Sequence, residues 1–297
     1  GDLVVIAVAE GRVPRPGALP EKETGFMEQL GRLGITRIEE LSARSLADKK
    51  QMGPLFSALA PPVNSDFRPF VQLEAPRARF QGSSARAVLS LAGAPLPILE
   101  MAAGAATTYL PEPVAEYVPS PRIRVQSAAL EIARGLTGRA ADPLDSREPA
   151  AIAVLLALKR PGALCGAEPS KTALDQLHNA AEITLANLAP ERRRALWIER
   201  RWLGCAPRSP EVREKLEVYA AIAARDKRAM LARARALLSR PAREGDNWGR
   251  YLLITAMLGA LATGEREEAR RLWESYGSKL YPGGDIPPYV VYLANLS

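Results

Sequence analysis

From Leu3 to Ala9 the chain is apolar without interruption, whereas from Ala85 to its end apolar residues recur at three- and four-residue spacing between proline and glycine breaks. The first pattern is that of a strand buried on both faces and the second that of successive amphipathic helices. After the proline-rich turn Val13 to Pro20, Phe26, Leu30 and Leu33 predict a helix over Glu21 to Leu33, with Gly34 as its stop. Helical segments are predicted around Ile38 to Leu46 and from Asp48 to Leu59, ended by Pro61 and Pro62. Phe70 to Glu74, between Pro69 and Pro76, predicts an edge or terminal strand, because proline cannot donate to a ladder. The composition changes near Gly82 to Ser84, dividing the chain into a small α/β region, 1–83, and an all-helical region, 84–297.

In the second region helices are predicted over Ala85 to Leu91, Leu96 to Ala102, Arg122 to Leu136, Arg147 to Lys159, Lys171 to Leu188, Glu191 to Leu203, Glu211 to Ala224, Lys227 to Ser239, Trp248 to Thr263, Arg266 to Lys279 and Tyr289 to Leu296. Ser209 is placed to cap a helix, Pro210 suits its first position, and Glu211 with Lys215 makes an i, i+4 pair. "YLLITAMLGALATGEREEARRLWESYGSKL", Tyr251 to Leu280, resembles a tetratricopeptide repeat: small residues Gly259, Ala260 and Ala262, a turn at Gly264, and Ala269 at the close-packing position. "VYAAIAARDKRAMLARARALL", about 39 residues earlier, is a weaker copy without the turn glycine. The expected fold is mainly α: a degenerate tetratricopeptide-like array preceded by an α/β remnant.

The 297 residues, 47% of them hydrophobic, can fill a sizeable core. Apolar tracts such as Ala150 to Leu158 and Tyr251 to Ala262 fall short of the roughly 20 residues a membrane-spanning helix needs. Gly1 and Asp2 stand directly before an apolar run, without the regions of a secretion signal, so the chain reads as a piece of something longer, cut at its amino end. A net charge of +7, with both signs interspersed, permits an anionic partner without demanding one.

Candidate chemistry is sparse. Cys165, Cys205 and the lone His178 do not supply converging zinc ligands, and the cysteines are expected to be reduced, buried and cytosolic. His178 has Asp175 three residues before it but no evident nucleophile, and is given no role. In "PERRRALWIERRWLG", Arg193, Trp197, Arg200 and Arg201 fall at i, i+4, i+7 and i+8, a face suited to stacking and phosphate contact. The plainer alternative makes Leu196 and Leu203 the core stripe, the tryptophans groove fillers, and the arginines solvated or paired with Glu191 and Glu199. Phosphate-cradling glycine loops are absent, and no cofactor is expected.

Residues 1–80 resemble the carboxyl end of the spermidine synthase-like proteins, in the bacterial branch whose Rossmann-like domain is fused to a multi-pass membrane domain. The resemblance rests on "GDLVVIAVAEG" and on "NSDFRPFVQLEAPRARF", through Asn64, Asp66, Pro69, Leu73, Glu74, Ala75, Pro76 and Arg77. Phe67 stands where that family has a second Asp, and the family's cofactor loop and catalytic Asp loop would lie upstream. The resemblance implies a non-catalytic carboxyl portion, on the cytoplasmic side of a membrane-anchored parent, whose helical repeats bind a protein or peptide. One alternative is an aminopropyl- or methyltransferase-like enzyme with Asp66, Arg68 and Glu74 near a polyamine. Another is a basic helical-repeat nucleic-acid binder.

Overall fold

A computed structural model describes residues 24–32, 35, 40, 53, 93–103, 108–113, 121–138, 146–160, 162–240 and 246–296. The two expected strands, most of the α/β region and the helix expected over Ala85 to Leu91 lie outside them. Among the described residues the protein is mainly helical, without strands.

Helix α1 (Thr24–Arg32) carries the Glu28–Arg32 ion pair at 2.8 Å and keeps Leu30 buried. The other helices among the described residues are α2 (Ile98–Ala103), α3 (Pro121–Leu136), α4 (Pro149–Leu158), α5 (Lys171–Asn187), α6 (Pro190–Arg194), α7 (Pro210–Ala224), α8 (Lys227–Leu238), α9 (Asn247–Thr263), α10 (Arg266–Leu280) and α11 (Pro288–Leu296). Most agree with the periodicity within a few residues because their ends carry local stop and start chemistry. Pro149, Pro190 and Pro210 occupy first-turn positions, where a missing N–H costs nothing. Ser170 caps α5 by accepting from Ala173 N at 3.2 Å, and Asp246 caps α9 through Trp248 N and Gly249 N. Ser209 flanks α7 as expected but makes no side-chain cap bond, and Lys215 lies 3.8 Å from Glu211.

One hydrophobic core runs from Ala94 to Leu293. Helices α3, α4 and α5 pack together, α5 passes to α7, and α7 and α8, α8 and α9, and α9 and α10 pack pairwise. Helix α9 is the most enclosed, apolar nearly all round, with α2 and α11 also against it. Its contact with α8 is close: a Cβ on Gly259 would stand 2.9 Å from both Leu231 N and Lys227 O, so only a residue without a side chain lets the two backbones approach this far.

The hairpins α7–α8 and α9–α10 turn identically. Arg225 N bonds to Ile222 O and Asp226 N to Ala221 O; about 39 residues on, Gly264 N bonds to Leu261 O and Glu265 N to Ala260 O. Both turn residues are left-handed, Gly264 at φ 87° and Arg225 at φ 56°. The copy lacking the turn glycine therefore adopts the glycine's conformation with an arginine, against a steric penalty of about 1 kcal/mol or more.

Candidate functional site

Past α6 the α-helix does not continue. Ala195–Glu199 forms a π-turn, Arg200 is left-handed at φ 50°, a 3-10 turn comes next at Arg201–Leu203, and Gly204 is again left-handed. A π-turn inserts one residue into the helical repeat, rotating the residues beyond it by about 100°. The expected face of Arg193, Trp197, Arg200 and Arg201 is therefore not assembled. Arg193 and Trp197 are buried in the core, while Arg201 is exposed and lies 3.7 Å from Glu199. The plainer alternative holds for the tryptophans: Trp197 Nε1 donates to Thr184 Oγ1 at 2.8 Å, and its ring meets Tyr219 and Trp202 edge-on.

Arg193 belongs to a buried ionic knot. Its Nη2 donates to Glu100 Oε2 and to Tyr109 Oη, both at 2.7 Å, and its Nε donates to Leu188 O. Tyr109 Oη also donates to Glu100 Oε2, and Arg225 closes on Glu100 Oε1. One carboxylate on α2 thus ties α6 to the strained turn between α7 and α8. A single acid inside the otherwise apolar "ILEMAA" is its sequence signal, without any hint of the partners.

Cys165 and Cys205 form a disulfide, which corrects the expectation of reduced, buried thiols. Cys205 is exposed, and the bond joins the loop before α5 to the loop before α7, so pairing requires the intervening helices to bring both loops together. Closing a loop of this length is worth about 2–4 kcal/mol in the unfolded-chain entropy account. Reduction should lower the urea midpoint of the wild type accordingly, while Cys165→Ser/Cys205→Ser should sit at the reduced value whatever the reductant; equal midpoints for oxidised and reduced protein would contradict this.

His178, with no role expected, sits among Tyr219, Trp248 and Tyr251. Tyr219 Oη and His178 Nδ1 are 2.9 Å apart, a hydrogen bond whose direction follows the ring tautomer, and Nε2 lies 3.6 Å from Glu182 Oε1. The Tyr219 side chain is wholly buried, which keeps this pair away from any substrate in solution. Burial brings the imidazole pKa down to about 4, helped by the Lys215 ammonium and opposed by Asp246. Below its ordinary value near 6.5 the unfolded chain binds more protons here than the folded one. The contribution of a neutral His178 is thus complete above pH 6.5 and is lost as pH falls to about 4, amounting to roughly 3 kcal/mol. Glu182, raised by burial, acts in the opposite sense. His178→Gln should flatten the decline in stability between pH 6.5 and 4 in chemical melts; an unchanged slope would contradict the assignment.

A groove of about 400 Å³ opens between the π-turn and the α7–α8 hairpin. Ala220, Ala221, Ala224 and Ala229 give it a shallow apolar floor, and Arg200, Glu217, Asp226 and Arg233 supply its charges. Ala224 and Asp226 flank Arg225, so the Glu100 knot holds one end of the groove in place. Asp66, Arg68 and Glu74 lie outside the described residues. Among the described residues, no cluster of three His, Cys, Asp or Glu side chains is placed to hold a metal ion, and no helix is long and apolar enough to cross a membrane. Comparison of the chain with protein-family models, curated proteins and solved structures gives no match.

Proposed function

We propose that the helical region is a degenerate tetratricopeptide-like module that binds a protein or peptide segment and performs no catalysis. The observation that carries this is the alanine-floored groove on the α7–α8 hairpin, whose volume lies in the range of ligand-binding clefts. The repeated turn at Arg225 and Gly264 supports the array reading, since stacked helix pairs with equivalent turns are how such arrays present binding surfaces. The nucleic-acid alternative has less support, because Arg193 and Trp197 are inside the core.

The parent proposed for this chain is a membrane-anchored spermidine synthase-like protein, on the resemblance around Asn64 to Phe80 and Gly1 to Gly11 alone. In this reading the isolated chain binds neither polyamine nor decarboxylated S-adenosylmethionine, and micromolar affinity for either in calorimetry would count against it. The disulfide supports folding in an oxidising compartment, against the cytoplasmic placement that the resemblance implies.

Selection of a phage-displayed random peptide library on the immobilised, oxidised chain tests the module. Peptides should be enriched, and their binding should fall when Ala220→Phe fills the groove. Failure to enrich any peptide, or enrichment indifferent to Ala220→Phe, would overturn the reading.

A further inference from the structure

The geometry points to an acidic side chain of the bound segment as the group the groove reads, held by the Arg200 guanidinium. This deepens the peptide-binding reading and rests on it. Four charged residues line the groove, and three of them are already engaged. Arg233 is paired with Glu217 across the hairpin. Asp226 accepts from Ala229 N at 3.0 Å and so caps α8. Arg200 is left as the lining charge with no side-chain hydrogen-bonding or ionic partner among the described residues, a cation beside an apolar floor.

Its position is set by the backbone. The π-turn over Ala195–Glu199 ends at Arg200, whose left-handed φ of 50° is uncommon for a side chain of this size. Trp197 within the turn and Trp202 after it are both anchored, Trp202 Nε1 donating to Leu196 O at 2.7 Å. Arg200 is thus fixed between two seated tryptophans, and the guanidinium starts from a backbone that does not have to be ordered on binding. Its fork suits a carboxylate, which it can hold through two N–H donors.

The engaged charges also narrow the partner. Arg233 neutralises Glu217 and leaves Asp226 as the carboxylate set against Arg200, so a polyanion running along the groove would meet as much repulsion as attraction. A segment with one acidic residue set among small or apolar ones meets the arginine without that repulsion, and the alanine floor admits its backbone closely. A discrete carboxylate is therefore favoured over a nucleic-acid backbone.

The test uses the oxidised full chain, the same random peptide library, and the variants Arg200→Asn and Arg200→Glu. Asparagine tolerates the left-handed turn, so Arg200→Asn removes the charge while leaving the backbone as it is. Wild-type pools should be enriched in Asp or Glu at one position. A fluorescein-labelled consensus peptide from that pool should bind Arg200→Asn about tenfold more weakly, as loss of a charged hydrogen bond implies. Arg200→Glu should select Lys or Arg at the same position. Peptide pools without an acidic position, or acidic pools unaffected by either variant, would overturn the carboxylate inference while leaving peptide binding intact. The absence of any enriched peptide would remove both. Tighter binding of a fluorescein-labelled single-stranded oligonucleotide than of any selected peptide, lost in Arg200→Asn, would replace the carboxylate by phosphate and overturn the proposal.

Discussion

Glu100→Ala is expected to lower the unfolding free energy by about 3–5 kcal/mol, because removal of one partner leaves buried positive charge uncompensated. Arg193 is fully buried and the Glu100 side chain is 8% exposed, so water does not replace the lost carboxylate. Burial already pulls the Arg193 guanidinium down, and its Nη1 has no partner among the described residues even in the intact knot. The cost is therefore that of an orphaned cation, which is larger than the net worth of the pair. Two further variants separate these quantities. Glu100→Gln keeps an acceptor for Tyr109 and Arg193 and should lose less than Glu100→Ala. The double replacement Glu100→Met/Arg193→Met should be more stable than Glu100→Ala alone, since the buried charge has gone with its partner. Urea melts give all three values, and a double variant no more stable than Glu100→Ala would mean that the orphaned Arg193 charge is not the source of the loss. Because Arg225 also leans on Glu100, Glu100→Ala should weaken peptide capture by the groove as well as the fold.

Trp197→Ala is expected to cost a similar amount, about 3–5 kcal/mol, through the cavity left by the largest fully buried side chain among the described residues. The indole sits beside the π-turn, α5 and α7, meeting Tyr219 at a ring-centroid distance of 5.1 Å. Its Nε1–H donates to Thr184 Oγ1, which in turn donates to Ala180 O at 2.6 Å. Trp197→Phe keeps most of the volume and removes chiefly that hydrogen bond, so it should cost about 1–2 kcal/mol. A loss for Trp197→Phe equal to that for Trp197→Ala would show that the hydrogen bond and not the volume dominates. Chemical denaturation followed by far-ultraviolet circular dichroism is the suitable readout, because the substitution itself alters tryptophan fluorescence.

These two residues also show where local reasoning stops. From the sequence, Trp197 reads as a groove filler and also as part of a basic stacking face, and the choice between them turns on helical register. An uninterrupted helix from Glu191 to Leu203 would put Arg193, Trp197, Arg200 and Arg201 on one side. The π-turn breaks that register, and nothing in the local pattern of arginines and apolar residues announces it; seating Trp197 against α5 and α7 is a tertiary demand that the local periodicity does not contain. The left-handed Arg200 and Arg225 are hidden for a related reason. Glycine marks such turns when it is present, as at Gly264, but an arginine gives no sign that packing holds it there.

The cysteines make the same point chemically. Their separation of 40 residues says nothing about whether the two loops meet, and only the packing of α5 through α7 sets the Cα atoms 6.0 Å apart. His178 is likewise readable as a histidine on a helix, but its partners Tyr219 and Glu182 come from a helix 41 residues away and from the next turn of its own.

Apolar spacing, first-turn prolines and turn residues were enough to establish the mainly helical class and the approximate limits of most helices from α2 to α11. All of these signals act within a few positions of one another. Three outcomes needed the folded chain: Arg193 is spent on Glu100, Cys165 finds Cys205, and Arg200 stands over an alanine floor without a side-chain partner among the described residues. Each depends on groups distant in the chain meeting, or failing to meet, at hydrogen-bond or covalent distance. That proximity comes from burying the helices against one another, a collective result that no short window of residues encodes.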